Sequence, residues 1–281
     1  MTIDFPLEEA VKRRYSVRSY SDLGIEDIKL SSIRSFIETL DNPFGKKVNF
    51  RFIDKEVTGQ GEKLGTYGVI KGAKRFIGAS VLPGPLSLEA LGYELETVIL
   101  FLAHLGLGSC WLGGTFNRKE FARAMDIKDN ELFALITPYG YAARTKNITE
   151  RVMRSMVRAD HRKEWDKLFF RDDFQTPLTK KEAGDFAFPL EMVRLGPSAS
   201  NKQPWRLVLS GKTCHFYECR SLKYGGLFSF DIQRVDMGIA AAHFDLAVKE
   251  IGKKGFFDLS RRPDTVQPEN CQYMFSWVEE K

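Results

Sequence analysis

Two stretches of this chain share one pattern: GYELETVILFLAHLGLG at residues 92–108 and GIAAAHFDLAVKEIGKKG at 238–255 each open on glycine, run through an apolar helical segment and close on glycines. Pairing Gly92 with Gly238 and Gly106 with Gly252 needs no gap and sets an offset of 146. A second pair of segments precedes them. EDIKLSSIRSFIETL places Ile28, Leu30, Ile33, Phe36, Ile37 and Leu40 near helical spacing ahead of the strand-like VNFRFI, and KKEAGDFAFPLEMVRL precedes the strand-like WRLVL. There Leu40 aligns with Leu195, Phe50 with Trp205 and Arg51 with Arg206 at an offset of 155, so the first unit carries about nine more residues before its glycine-bounded helix. This recurrence predicts an α+β fold of two diverged copies, residues 1–150 and 177–281, joined by a connecting segment over 151–176.

Composition narrows the functional classes. At 281 residues, 43% hydrophobic and 12% aromatic, the chain can bury a sizeable core. The net charge of +5 is a mild excess that favours small anionic ligands without demanding nucleic acid. The most apolar short run, VILFLA at 98–103, falls far short of the ~20 residues that cross a bilayer. The N-terminal MTIDFPLEEAVKRRYSVRSY places acids before any apolar stretch, unlike a secretory leader. Cys110, Cys214, Cys219 and Cys271 form no C-x-x-C pair, which argues against a zinc site and a disulfide framework and for a reducing cytoplasm. Between the copies, the basic RTKNITERVMRSMVRADHRKEWDKLFFRDD at 144–173 spaces Val152, Met153, Met156 and Val157 as a connecting helix with one packed face. It has neither the interleaved aromatics nor the module of a base reader, so neither a nucleic-acid nor a membrane partner is expected.

Three motifs carry chemistry. RYSVR sets Arg14, Ser16 and Arg18 at alternate positions, so an extended backbone puts two guanidiniums and a hydroxyl on one face, suited to a phosphate or a polarised ring carbonyl. PSASNKQPW, from Pro197 to Trp205, combines small residues with the short hydrogen-bonding side chains of Ser198, Ser200, Asn201 and Gln203, stiffened by a proline near each end. GLGSCWLGG, residues 106–114, can stop a helix at Gly106 and Gly108 and expose main-chain N–H groups at Gly113 and Gly114. It follows a helix, so it is not a dinucleotide fingerprint. Cys110 beside it reads as a reactive thiol or, better, as a small buried filler.

RYSVRSY, PSASNKQPW and GLGSCWLGG, followed by ITPYGYAA, together resemble the signature stretches of the FMN-dependent nitroreductase family, and within it the fused members that hold two nitroreductase-like copies in one chain. The resemblance covers most of residues 7–255 and implies an intramolecular pseudo-dimer. In that family each flavin lies between two subunits, with the Arg-Ser motif and the glycine loop from one and the Pro-Ser-Asn loop from the other. Here copy one keeps the first two elements, while its own loop reads NPFGKKVNF; copy two keeps PSASNKQPW. At the offset of 155 the partners of Arg14, Ser16 and Arg18 are Phe169, Arg171 and Asp173, a poor anion cradle. One FMN per chain, at a composite site, is the expectation.

By resemblance, Arg14, Tyr15, Ser16 and Arg18 bind the flavin phosphate and ring oxygens. Trp111, Leu112, Gly113 and Gly114 line the ring, with the Gly113 N–H near N5, and Pro197, Ser198, Ala199, Ser200, Asn201 and Gln203 close the site from copy two. Arg144 and Lys71 are further candidates for the phosphate end and the N1/O2 edge. No catalytic side chain and no metal are implied, because the flavin carries the hydride. The implied reaction is ping-pong: NAD(P)H reduces FMN, then a nitroaromatic or quinone-like acceptor is reduced in the same pocket. A non-catalytic flavin-binding protein, or another flavin enzyme of this fold such as a dehydrogenase or dehalogenase, is the alternative. Fusion of the copies implies a monomer.

Overall fold

Helices α1 (Leu7–Arg13), α2 (Asp27–Glu38), α3 (Ser87–His104) and α4 (Arg118–Ala124) alternate with strands β1 (Val48–Asp54), β2 (Arg75–Val81), β3 (Gly108–Ser109) and β4 (Leu132–Gly140). The second half runs β5 (Phe169–Arg171), α5 (Lys180–Ala183), α6 (Ala187–Leu195), β6 (Trp205–Ser210), β7 (Thr213–Cys219), α7 (Ile232–Glu250), β8 (Gly255–Asp258) and β9 (Cys271–Glu279). This computed structural model describes residues 3–54, 65–144, 161–221, 230–260 and 262–280. The helix expected from Val152, Met153, Met156 and Val157 lies outside the described residues.

The duplication is legible in the topology. The first sheet has strand order β1-β2-β4-β3 and the second β5-β6-β7-β9-β8, so four strands of each follow the same path, all antiparallel. Even the irregularities match: a register shift falls between Ala79 and Ser80 on β2, and another between Phe216 and Tyr217 on β7. The main difference in length is local. Residues 55–74 connect β1 to β2, whereas Gly211 and Lys212 alone join β6 to β7, with Gly211 at a φ of 57° in the tight turn.

The central helices α3 and α7 are buried over almost their whole length, including the charged or polar Glu89, Glu94, Glu96, Asp236, His243 and Asp245. They cross where glycine removes both obstructing side chains. A Cβ on Gly92 would lie 2.2 Å from the Val235 carbonyl oxygen, and one on Gly238 would lie 2.0 Å from that of Glu89. These reciprocal contacts join matching positions of the two copies, so the crossing marks a pseudo-two-fold axis. One apolar core runs through both copies, from Ala79, Leu91 and Leu95 to Trp205, Phe216, Phe244 and Trp277.

Three expectations are corrected. First, part of the connecting segment is a strand: β5 pairs in parallel with β6, Phe169 opposite Leu207, and belongs to the second sheet. Second, the offset of 155 does not extend to the Arg-Ser motif. Phe169 and Arg171 border β6, the counterpart of β1, whereas Ser16 bridges Ser109 on β3 at the opposite edge of its sheet. Third, Cys219 and Cys271 form a disulfide, overturning the expectation of none. They are direct cross-strand partners on β7 and β9 although 52 residues apart, a proximity that spacing cannot reveal. Cys110 and Cys214 are free and buried.

Candidate functional site

Residues 14–21 form a threaded segment held on several sides. The Val17 N–H donates to the Ser109 carbonyl at 2.8 Å, the Lys71 N–H to Arg18 and the Tyr20 N–H to Lys71, each at 2.9 Å. Beyond them the Ala143 N–H donates to Ser19 and the Ser21 N–H to Tyr141, each at 2.9 Å. The approach to β3 requires glycine, since a Cβ on Gly108 would sit 2.5 Å from Val17 Cγ2. Val17 and Tyr20 are buried with Cys110, Leu112 and Phe121, and Ser19 is buried as well, while Arg14, Ser16 and Arg18 are half-buried. The structure thus brings Arg14, Ser16, Arg18, Lys71 and Arg144 to one region, Lys71 and Arg144 exposed, as Tyr15 is. Arg18 is half-buried, and its Nε and Nη1 are inaccessible and have no hydrogen-bond partner among the described residues.

The glycine loop follows β3. Gly106, at a φ of 78°, ends α3, and the chain turns through Trp111 to Gly114. Leu112 is scaffold: its N–H and C=O both pair with Ile136, at 3.0 and 3.1 Å, and its side chain is buried. It supports the loop and has no group left to line a ligand. The Gly113 carbonyl accepts from Arg118 Nη2 at 2.5 Å, and Gly114 is exposed. The Trp111 indole turns toward α3 and donates to Glu96 Oε2 at 2.8 Å. Cys110 is a buried filler, as the sequence favoured.

Copy two's loop is braced by its own polar groups. Ser200, Asn201 and Gln203 all adopt positive φ, 46°, 55° and 47°. The Gln203 N–H donates to Ser198 Oγ at 2.8 Å, Gln203 Oε1 accepts the Lys163 N–H at 2.8 Å, and Asn201 Nδ2 donates to the His161 carbonyl at 2.8 Å. Gln203 is buried by these contacts and acts on the loop, whereas Ser200 is exposed and Pro197, Ser198 and Ala199 are half-buried. The Ala199 N–H donates to Asp236 Oδ1 at 2.9 Å, tying the loop to α7; burial holds the Asp236 carboxyl well above the usual carboxylate range. Burial, with Arg206 and Lys202 nearby, lowers the Lys163 ammonium to about 8, and burial lowers Arg206 to about 10. This side of the loop is electropositive.

The three motifs meet through two residues that motif reading missed. Glu96 on α3 accepts from Trp111, contacts His243 Nε2 of α7 at 2.9 Å, and lies 3.9 Å from Arg14 Nε. A Cβ on Gly196, where PSASNKQPW begins, would lie 3.5 Å from the His243 ring. The sequence gives little signal for this pair, because the same helices also carry Glu89, Glu94, Asp236 and Asp245.

The corresponding loop of copy one packs into the core. Copy one's loop NPFGKK carries Phe44, and the strands that follow the two loops align at an offset of 157, two more than the sequence suggested. Phe44 is buried against Tyr93, Phe257 and Phe275, with ring centroids 6.2, 5.9 and 5.1 Å away. Asn42 pins this loop by donating to the Lys46 carbonyl and to Glu94 Oε1. Among the described residues no group of side chains could hold a metal ion, and no helix is long and apolar enough to cross a membrane.

A duplicated α+β fold with basic, glycine-rich and Ser-Asn elements converging from both copies defines a protein of nitroreductase architecture. The family described as "Putative TM nitroreductase" matches residues 6–248, and the chain belongs to that family. Among solved structures, a "putative nitroreductase" from Thermotoga maritima is similar over 99% of this chain and 95% of its own, with a TM-score of 0.61 and 19% identity. A nitroreductase with bound FMN from Bacteroides fragilis matches 50% of this chain and 91% of its own, with a TM-score of 0.42 and 18% identity. An FMN-dependent nitroreductase from Clostridium difficile matches 50% of this chain and 90% of its own, with a TM-score of 0.40 and 20% identity. No curated protein matches the chain.

Proposed function

We propose that this chain is an FMN-dependent oxidoreductase with one flavin site between its two copies, reduced by NAD(P)H and reoxidised by a nitroaromatic or quinone-like acceptor. The asymmetry between the two loops carries this reading: copy two's loop leaves Ser198, Ala199 and Ser200 at least partly accessible beside the composite site, whereas copy one's loop buries Phe44. The residues present also fit an anionic, planar group, because buried guanidinium nitrogens of Arg18 without a protein partner are costly until an acceptor meets them.

Arg14, Ser16 and Arg18 would hold the anionic parts of the cofactor, with Lys71 and Arg144 adding positive charge. Gly113 and Gly114 offer main chain without side chains to a flat ring, beside Trp111. Pro197, Ser198 and Ala199 close the site from copy two, and exposed Ser200 and Tyr15 border it. When bound, FMN supplies the hydride chemistry, so the side chains need only bind, orient and exclude water. The fused copies supply the interface of a dimer, so a monomer completes the reading.

Flavin content is the test. The purified chain, reconstituted with FMN, should release one FMN per polypeptide and should bleach under anaerobic NADH or NADPH. No flavin after reconstitution overturns the proposal; binding without bleaching makes the chain a flavin-binding protein and not a reductase; two per chain would mean that Phe44 does not close the second site.

A further inference from the structure

Glu96 is fully buried in the middle of α3, among Leu95, Val98, Ile99 and Leu100, where an apolar residue would pack at lower cost. A carboxylate is stable there only if several donors surround it, and the donors come from three separate parts of the fold. The Trp111 indole N–H reaches Oε2 from the glycine loop at 2.8 Å. His243 Nε2 reaches Oε1 from α7 at 2.9 Å, both side chains wholly inaccessible. The guanidinium of Arg14, from the Arg-Ser motif, faces the same oxygen at 3.9 Å with its side chain 8% exposed. His243 in turn backs Gly196 at the start of copy two's loop.

We infer that Glu96 is a positioning residue, which fixes Trp111 and Arg14 of copy one against His243 of copy two and so sets the register of the two halves of the composite site. It does not touch the reacting atoms. Its effect passes through the orientation of the indole and the placing of the guanidinium, and a small displacement of such groups is enough to lose much of a binding site's complementarity. This inference rests on the flavin reading above.

The test compares wild type, Glu96→Gln and Glu96→Ala. FMN affinity of the flavin-free chain is read by flavin fluorescence, and the Trp111 environment by near-UV circular dichroism, with Trp111→Phe subtracted to isolate its band. Glu96→Ala should weaken FMN binding at least tenfold and collapse the Trp111 band. Glu96→Gln keeps an acceptor for the indole but loses the charge facing Arg14, so it should keep the band and weaken binding by a smaller factor. If Glu96→Ala does not fold, His243→Phe, which removes the copy-two donor, should produce the same two changes. A lowered melting temperature with unchanged FMN affinity and an unchanged band would make Glu96 structural only and overturn the inference. If wild type itself takes up no FMN, the flavin reading fails, whereas failure of the inference leaves wild-type binding intact and the variants indistinguishable from it.

Discussion

Ala199 is a small, half-buried residue of copy two's loop, whereas copy one's loop of equal length buries Phe44 against three aromatic rings. Ala199→Phe should therefore lower FMN uptake at least tenfold. Because Ala199 is half-buried at the margin of the core, the apo-protein melting temperature should change little; unchanged uptake would show that Ala199 does not border the flavin. Beneath Phe44's loop, Glu94 contacts no cation among the described residues, and burial raises it from 4.5 to about 7, partly offset by the bond from Asn42. The native state then holds this proton more tightly than the unfolded chain. Its stabilising effect is complete below pH 4.5 and is lost as the pH rises through about 7, by on the order of 3 kcal/mol. Urea midpoints should accordingly fall between pH 5 and pH 8 more steeply for wild type than for Glu94→Gln; equal slopes would mean that Glu94 stays ionised in the fold.

At the scale of elements, the α3–α7 crossing is the joint of the molecule. Both obstructing atoms at Gly92 and Gly238 are backbone carbonyl oxygens, which no rotamer change can move aside. Gly238→Ala gains up to about 1 kcal/mol of helix propensity but forces the helices apart, and overpacking of this kind costs about 1–3 kcal/mol or more. A net loss of unfolding free energy in urea is expected, against a near-neutral Gly24→Ala, where nothing lies within 4 Å. A neutral Gly238→Ala would show that the helices tolerate a wider spacing. The same glycines were visible in the sequence as a matched pair opening two apolar runs, because a long 3.6-residue period survives divergence, although the helices themselves begin earlier, at Ser87 and Ile232. Strand β5 was not visible. Its three residues sit in a polar connecting stretch, and their parallel pairing with β6 is a long-range choice that no local pattern encodes.

For the whole molecule, the pseudo-two-fold contact between copies is already intramolecular, with one core continuous across it. Light scattering should give a mass near 32.1 kDa at micromolar concentration; a stable dimer would mean that another surface carries an interface. The division of the candidate site's motifs between the copies was legible before any coordinates, because each occurs in one copy and not the other. Its internal arrangement was not. Gln203 and Leu112 look like ligand contacts in the motifs, yet the fold turns the first onto Lys163 and Asn201 and the second into the core.

The sequence by itself determined the duplication, the two central helices, the flanking strands and the three motifs, since each depends on local periodicity or on residue types gathered within a few positions. Only the tertiary structure decided which polar groups are consumed in bracing the loops, that Cys219 meets Cys271, that Phe44 packs against Phe275 and that Glu96 joins Trp111, Arg14 and His243. The physical reason is common to all four. A side chain's partner is set by the crossing of helices and the pairing of strands far apart in the chain, and those contacts exist only once the two copies have packed on each other.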